Sequence, residues 1–403
     1  MWDTGMDIRD VQVIRTRTDV YFGVGAIDSI DAIAGQMAAR GIKSALIVTG
    51  HSAYKVTGAW AKIAPALDRV NIRYAVYDGV TPNPTTGQVD TAVALGADIE
   101  AGAVIAIGGG SAIDAGKGAA ILLRNPGKTA AALFNCEFAP KEALPILAVN
   151  LTHGTGSESN RFAVVTDTEK NFKPVIAFDC IYPTWAIDDP ALMATLSEKQ
   201  TRFVSIDAVN HVIEAATSRS ANPLAVMLAS ETVKLVSKYL PLALREPGNL
   251  TARYFLAYAA MIAGVAFDNS LLHYTHALEH PLSAVRPDLA HGLGLSILLP
   301  AVVKEIYPAR SVVLADLLAP IVPGLTGVPG EAEKAAKGVE KWLVSVGVSE
   351  KLADFGFTAD DVDSLVDLTL KTPSLSGLLD QAPTEANRLS IASIYLNSLG
   401  WIS

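Results

Sequence analysis

Cysteine is scarce. Cys136 and Cys180 are the only two in 403 residues, and they form no Cys-x-x-Cys pair. That argues against a disulfide scaffold and a thiolate zinc site, and it fits a reducing cytoplasm; any metal must be held by histidine and carboxylate. Charge is also sparse, at 18% Asp, Glu, Lys and Arg, and 32 basic against 41 acidic side chains leave a net −9. Such a chain is a poor match for nucleic acid or an anionic membrane. Half of the residues are apolar and mean hydropathy is +0.32. Even so, unbroken apolar runs such as residues 104–107 and 293–303 fall short of the ~20 residues of a spanning helix. The opening residues 1–10 are polar and acidic, with neither the basic nor the apolar region of a secretory leader, so a cytoplasmic protein is expected.

What is present is an ordered alternation. At ~150 residues per domain the length points to two or three domains. Residues 44–49, 74–78, 103–107 and 145–149 read as short buried strands, with helices at 87–99 and 111–124. That pattern implies a parallel sheet covered by helices on both faces. After Asp189 strand signals almost vanish, and helical patterns follow at 197–218, 223–239, 251–267 and 270–284. The expected organisation is an α/β domain over 1–188 and an all-helical domain over 189–403, with a ligand site in the cleft between them.

Gly108-Gly109-Gly110-Ser111 ends one strand and opens a helix that carries Asp114 and Lys117. Glycines let backbone N–H groups approach a phosphate, and the helix N-terminus adds unsatisfied donors. Ser111 is expected to cap the helix, and Asp114 and Lys117 to share one face. The loop is neither of two common phosphate signatures: Gly118 stands where a P-loop needs a hydroxyl, and Ile113 where G-x-G-x-x-G needs glycine. A second glycine-hydroxyl loop, carrying Thr152, His153, Thr155, Ser157 and Glu158, follows the next strand and should lie on the same sheet edge.

Four of the seven histidines (His273, His276, His280 and His291) lie in one short stretch. Asp207 and His211 are four apart on a helical pattern, as are His276 and His280, so each pair shares a face. One carboxylate and up to three imidazoles converging between helices suit Fe2+ or Zn2+ with an open position. His276-Ala-Leu-Glu279-His280 also matches the short H-x-x-E-H peptidase signature, with Glu279 as base. That reading leaves the glycine loops unexplained.

Taken together, these blocks resemble the iron-containing (group III) alcohol dehydrogenase family over nearly the whole chain. The blocks are Gly108-Gly-Gly-Ser-x-x-Asp-x-x-Lys117, Thr152-His-Gly-Thr-Gly-Ser-Glu158, Asp207-Ala-x-x-His-x-x-Glu214, and His276-x-x-x-His280 with Ala290-His291-Gly292. The resemblance implies a Rossmann-like dinucleotide-binding domain and a helical metal domain. It makes Asp207, His211, His276 and His291 the metal ligands and His280 an active-site histidine that relays a proton. Gly108, Gly109, Gly110, Ser111, Asp114, Thr152 and Thr155 become cofactor contacts, and Phe267 an aromatic near the nicotinamide. Gly50, His51, Ser52 and Asn83 complete the expected cofactor site.

His153, Asp268 and Ser205 depart from the family pattern, and the first two would lie near cofactor or substrate. NAD-preferring relatives tend to carry an aspartate after the strand at 44–49, where this chain has Gly50-His51-Ser52. A 2′-phosphate would not be repelled there, and His51, Ser52 or Lys55 could bind it, so NADP is favoured over NAD. The implied activity is hydride transfer between nicotinamide and a small alcohol or aldehyde at Fe2+ or Zn2+, in a homodimer, the commonest closed assembly. A lyase resembling dehydroquinate synthase, which shares this architecture, is the runner-up, and an H-x-x-E-H metallopeptidase comes third.

Overall fold

A computed structural model describes residues 13–402; residues 1–10, where no leader is expected, lie outside the described residues. The chain divides into two compact units. The first is Thr16–Ser197 with Glu246–Met261; the second is 13–15, Glu198–Arg245 and 262–402.

The first unit carries strands β1 (Asp19–Phe22), β2 (Ser44–Thr49), β3 (Arg73–Tyr77), β4 (Ala103–Gly108), β5 (Ile146–Asn150), β6 (Phe162–Val164), β7 (Val175–Ala177) and β8 (Trp185–Asp188). Six of them form a wholly parallel sheet in the order β1-β8-β5-β4-β2-β3, and β6 and β7 form an antiparallel pair. Its helices are α1 (Ile30–Ala39), α2 (Ala53–Val56), α3 (Ala59–Arg69), α4 (Thr86–Asp98), α5 (Gly110–Leu122) and α6 (Ala130–Phe134). Strands β2 and β4 are buried on both faces, which their continuous apolar sequences require. Ala45, Ile47, Ile105 and Ile107 pack in one cluster with residues of α1 and α3. Leu46, Val48 and Val104 face the other way, toward α4 and α5. Full burial of each larger aliphatic side chain contributes about 1.5–3 kcal/mol.

The strand order places β4 between β2 and β5, so the chain's direction of winding reverses between β2 and β4. In an open parallel sheet the crevice outside the strand C-termini at such a reversal is the usual ligand position. Gly50–Ser52 follow β2 there, and Gly108, the last residue of β4, is followed by Gly109 and Gly110.

The second unit is helical: α7 (Glu198–Thr217), α8 (Pro223–Arg245), the second part of α9 (Leu250–Asp268), α10 (Tyr274–Val285), α11 (His291–Leu318), α12 (Ala332–Ser345), α13 (Val362–Lys371), α14 (Leu375–Leu379) and α15 (Arg388–Ser398). Helix α11 packs on α7, α10, α12 and α15. Two expectations need correction. The helix expected from residue 270 starts at Tyr274, because Leu271 takes a left-handed φ of 67° and breaks the turn. Helix α9 has the length and composition to cross a membrane, which a search for unbroken apolar runs overlooks because Arg253 interrupts it. Most of its apolar window (61%) is buried, and Arg253 is itself fully buried and hydrogen-bonded, which fits a core helix.

Candidate active site

Asp207 and His211 project from one face of α7, His276 and His280 from α10, and His291 begins α11. Donor atoms of Asp207, His276 and His291 lie within 4.8 Å of one another. His211 stands beside this trio. Its Nδ1 is 3.5 Å from Asp207 Oδ1, and its ring stacks on His276 with centroids 4.5 Å apart. His276 Nε2 is 3.6 Å from the same carboxylate oxygen. Asp207 Oδ1, His211 Nδ1 and His276 Nε2 are buried polar atoms without a hydrogen-bond partner among the described residues. A buried polar atom in that position calls for an explanation. One carboxylate oxygen and imidazole nitrogens this close together are a donor set of the type that suits Fe2+ or Zn2+.

Burial works against charge on Asp207, but His211, His276 and His291 outweigh it and hold the carboxyl at about 2. Burial likewise opposes charge on Glu214, and His276, His273 and the Thr275 N–H overcome it, again to about 2. Burial pushes His211 down to about 3 despite Asp207. On His276 the carboxylates of Glu214 and Asp207 overcome burial and raise the imidazole to about 9. Asp207 and Glu214 are thus held ionised among buried imidazoles.

His280 is buried, with its ring 5.8 Å from that of His291. Glu279, His280 and His291 also bring donor atoms within 4.8 Å of one another. Glu279, the base in the H-x-x-E-H reading, instead accepts a hydrogen bond from His291 Nδ1. Phe267 stacks on His211 at 4.5 Å and 23°.

In the sheet unit the two loops meet directly. A Cβ on Gly109 would lie 2.7 Å from Thr152 Cγ2, and one on Gly110 would lie 2.5 Å from Thr155 Cγ2. Gly108 has a φ of +156°, and a Cβ there would meet Ala112 at 2.7 Å. The residue preceding α5 is Gly109, with no side-chain cap; Ser111 lies in the first turn, which corrects its expected capping role. No side chain caps the start of α5, and an uncapped helix N-terminus after a glycine turn is the kind of arrangement that binds phosphate.

Asp114 and Lys117 share a face as expected, but both are engaged inside the protein. Ser157 Oγ donates to Asp114 Oδ1 at 2.6 Å and Val164 N to Oδ2 at 2.9 Å. Lys117 Nζ, fully buried, donates to the carbonyls of Ser157, Asn160 and Phe162 at 2.7, 3.0 and 2.7 Å. That role is absent from the sequence reading, although a lysine three residues after Asp114 was its signal. His153, next to Thr152, is fully buried, with Nε2 2.9 Å from Arg253 Nη1 on α9. His51 and Ser52 are exposed, and a Cβ on Gly50 would approach the Val80 carbonyl at 3.2 Å. Asn83, at a φ of 54°, accepts from Lys173 Nζ at 3.0 Å.

The iron-containing alcohol dehydrogenase family matches residues 17–190, and the C-terminal region of the Fe-containing alcohol dehydrogenase family matches 203–399. The chain is 53% identical to the long-chain primary alcohol dehydrogenase AdhA of Thermoanaerobacter ethanolicus, over 99% of this chain and 100% of that one. It is 32% identical to a 1,3-propanediol dehydrogenase of Klebsiella pneumoniae, covering 93% of this chain and 95% of the other. Among solved structures, NADH-dependent butanol dehydrogenase A of Thermotoga maritima is similar with a TM-score of 0.86 at 27% identity, covering 96% and 98% of the two chains.

Proposed function

This chain belongs to the iron-containing alcohol dehydrogenase family, and from that premise we propose how its residues carry the reaction. It is a metal-dependent, nicotinamide-linked alcohol dehydrogenase that acts on alcohols and aldehydes. In our reading Asp207, His211, His276 and His291 hold the cation. The observation that carries this is the convergence of Asp207, His276 and His291 donor atoms within 4.8 Å. The donor chemistry accepts iron and zinc alike; the family's description makes Fe2+ the first choice.

A divalent cation in that set supplies Lewis acidity that polarises the substrate oxygen and lowers an alcohol's pKa. Gly109, Gly110 and the N-terminus of α5 bind the pyrophosphate of the nicotinamide nucleotide, with Thr152 and Thr155 beside them. His280 accepts or returns the hydroxyl proton, a task suited to an imidazole. Phe267 backs the ring of His211 and limits its rotation.

For the nucleotide we infer a preference for NADP(H). The support is the sequence at the end of β2, where Gly50-His51-Ser52 offer no carboxylate to repel a 2′-phosphate and Lys55 is exposed nearby. The 53% relative is named for long-chain primary alcohols, and on that likeness the substrate class is primary alcohols and their aldehydes, with longer chains included. The test is nicotinamide absorbance at 340 nm with protein loaded separately with Fe2+ and Zn2+, NADPH and NADH in parallel, and aldehydes of graded length. Equal or better use of NADH would overturn the cofactor preference alone.

A further inference from the structure

Two carboxylates behind the cation donors have no part in the mechanism above. Glu214 is on α7 and Glu279 on α10, and both are fully buried. Glu214 Oε2 accepts from His276 Nδ1, and its Oε1 accepts from the backbone N–H of His273 at 3.3 Å and from that of Thr275. Glu279 Oε2 accepts from His291 Nδ1. A neutral imidazole, the form a cation requires, that donates from Nδ1 presents its lone pair at Nε2. On His276 that atom faces the Asp207 carboxylate at 3.6 Å. The ring of His276 is thus held between two carboxylates of α7, seven residues apart.

The arrangement is sequential. Helix α7 grips the donor histidine of α10, and α10 grips the donor histidine of α11. The start of α11 is shaped for it: a Cβ on Gly294 would lie 2.9 Å from Glu279 Cγ and 3.1 Å from its Oε1, and one on Gly292 would lie 2.3 Å from the Phe203 carbonyl oxygen. The glycines after His291 leave room for Glu279 and for close approach to α7. This also accounts for the H-x-x-E-H spacing without peptidase chemistry, since Glu279 serves the histidine twelve residues later.

We propose that Glu214 and Glu279 are positioning residues that fix the Nδ1–H tautomer and ring rotation of His276 and His291, and so set the affinity of the site for its cation. The inference rests on the ligand assignment proposed above. Carboxylates bonded to metal-binding histidines typically change affinity by about 10–100-fold when altered.

The test uses the full chain stripped of metal. Zn2+ affinity is measured by chelator competition, and the Co2+ derivative by its visible absorption, for wild type, Glu214→Gln, Glu279→Gln, Gly294→Ala, Asp207→Asn and His276→Ala. The proposal expects Glu214→Gln and Glu279→Gln each to weaken Zn2+ by about 10–100-fold. One ion per chain and an unchanged Co2+ band shape at saturation are expected, because the donor atoms stay the same. Gly294→Ala, which keeps every carboxylate and displaces Glu279, should weaken Zn2+ too; it stands in for a glutamine variant that fails to fold. Wild-type affinity in both glutamine variants, with loss in Asp207→Asn and His276→Ala, would overturn the inference and leave the ligand assignment standing. Wild-type affinity in Asp207→Asn and His276→Ala would overturn the ligand assignment itself. A changed Co2+ band in Glu279→Gln would make Glu279 a ligand and overturn its positioning role.

Discussion

Lys117 Nζ lies 2.7 Å from the carbonyl oxygen of Ser157 and 2.9 Å from its Oγ, which ties the helix after the first glycine loop to the second loop. Ser157 in turn donates to Asp114. The two residues that the sequence places on one face of α5 therefore act as a clamp that holds the Thr152–Ser157 segment against Gly109 and Gly110. Lys117→Met should weaken nicotinamide nucleotide binding by about 10-fold or more, the worth of lost charge-assisted hydrogen bonds. It should also destabilise the fold by about 1–3 kcal/mol or more, because buried carbonyl acceptors lose their donor. Nucleotide titration and chemical unfolding check both. Unchanged nucleotide affinity would refute the clamp.

Much of this site is legible in the sequence because its signals are local. The run at β4 ends in three glycines, and the i, i+4 pairs of α7 and α10 share faces by helical geometry. What was not legible depends on pairing across long separations. His153 meets Arg253 at a separation of 100 residues, and Glu214 meets His276 at 62. Glu279 has the spacing of a catalytic base, and only the fold shows it turned to His291. The start of α10 was missed for the same reason: the break at Leu271 and the capture of two backbone N–H groups by Glu214 leave no propensity signal.

His153 carries a pH signature. Burial and the nearby Arg253 cation push its imidazole down to about 3, against about 6.5 in an unfolded chain. Below pH ~6.5 the unfolded chain takes up the proton while the folded one does not. The stabilising contribution is therefore complete above that pH and is lost as pH falls toward 3. The stability difference between wild type and His153→Gln should move against wild type by about 1.4 kcal/mol per pH unit in that window. Denaturant unfolding from pH 7.5 to 4.5 measures it, and a flat difference would contradict the buried neutral state.

The contact of Gly110 with Thr155 leaves no room for a side chain. Gly110→Ala should force the two loops apart and weaken nucleotide binding by about 10-fold or more, the equivalent of ~1.4 kcal/mol. Its Zn2+ affinity should stay at the wild-type value, because the donor residues belong to the helical unit. Loss of both together would indicate general misfolding instead of a local clash.

In our proposal, hydride transfer by this chain requires a cation held by the Asp207–His276–His291 set. The most direct measurement is NADPH and NADH oxidation at 340 nm with a primary aldehyde, for Fe2+- or Zn2+-loaded wild type beside His276→Ala. Metal-dependent oxidation by wild type is expected, with background rates in His276→Ala and nucleotide binding intact. Wild-type turnover in His276→Ala, or turnover that does not depend on the metal, would contradict it.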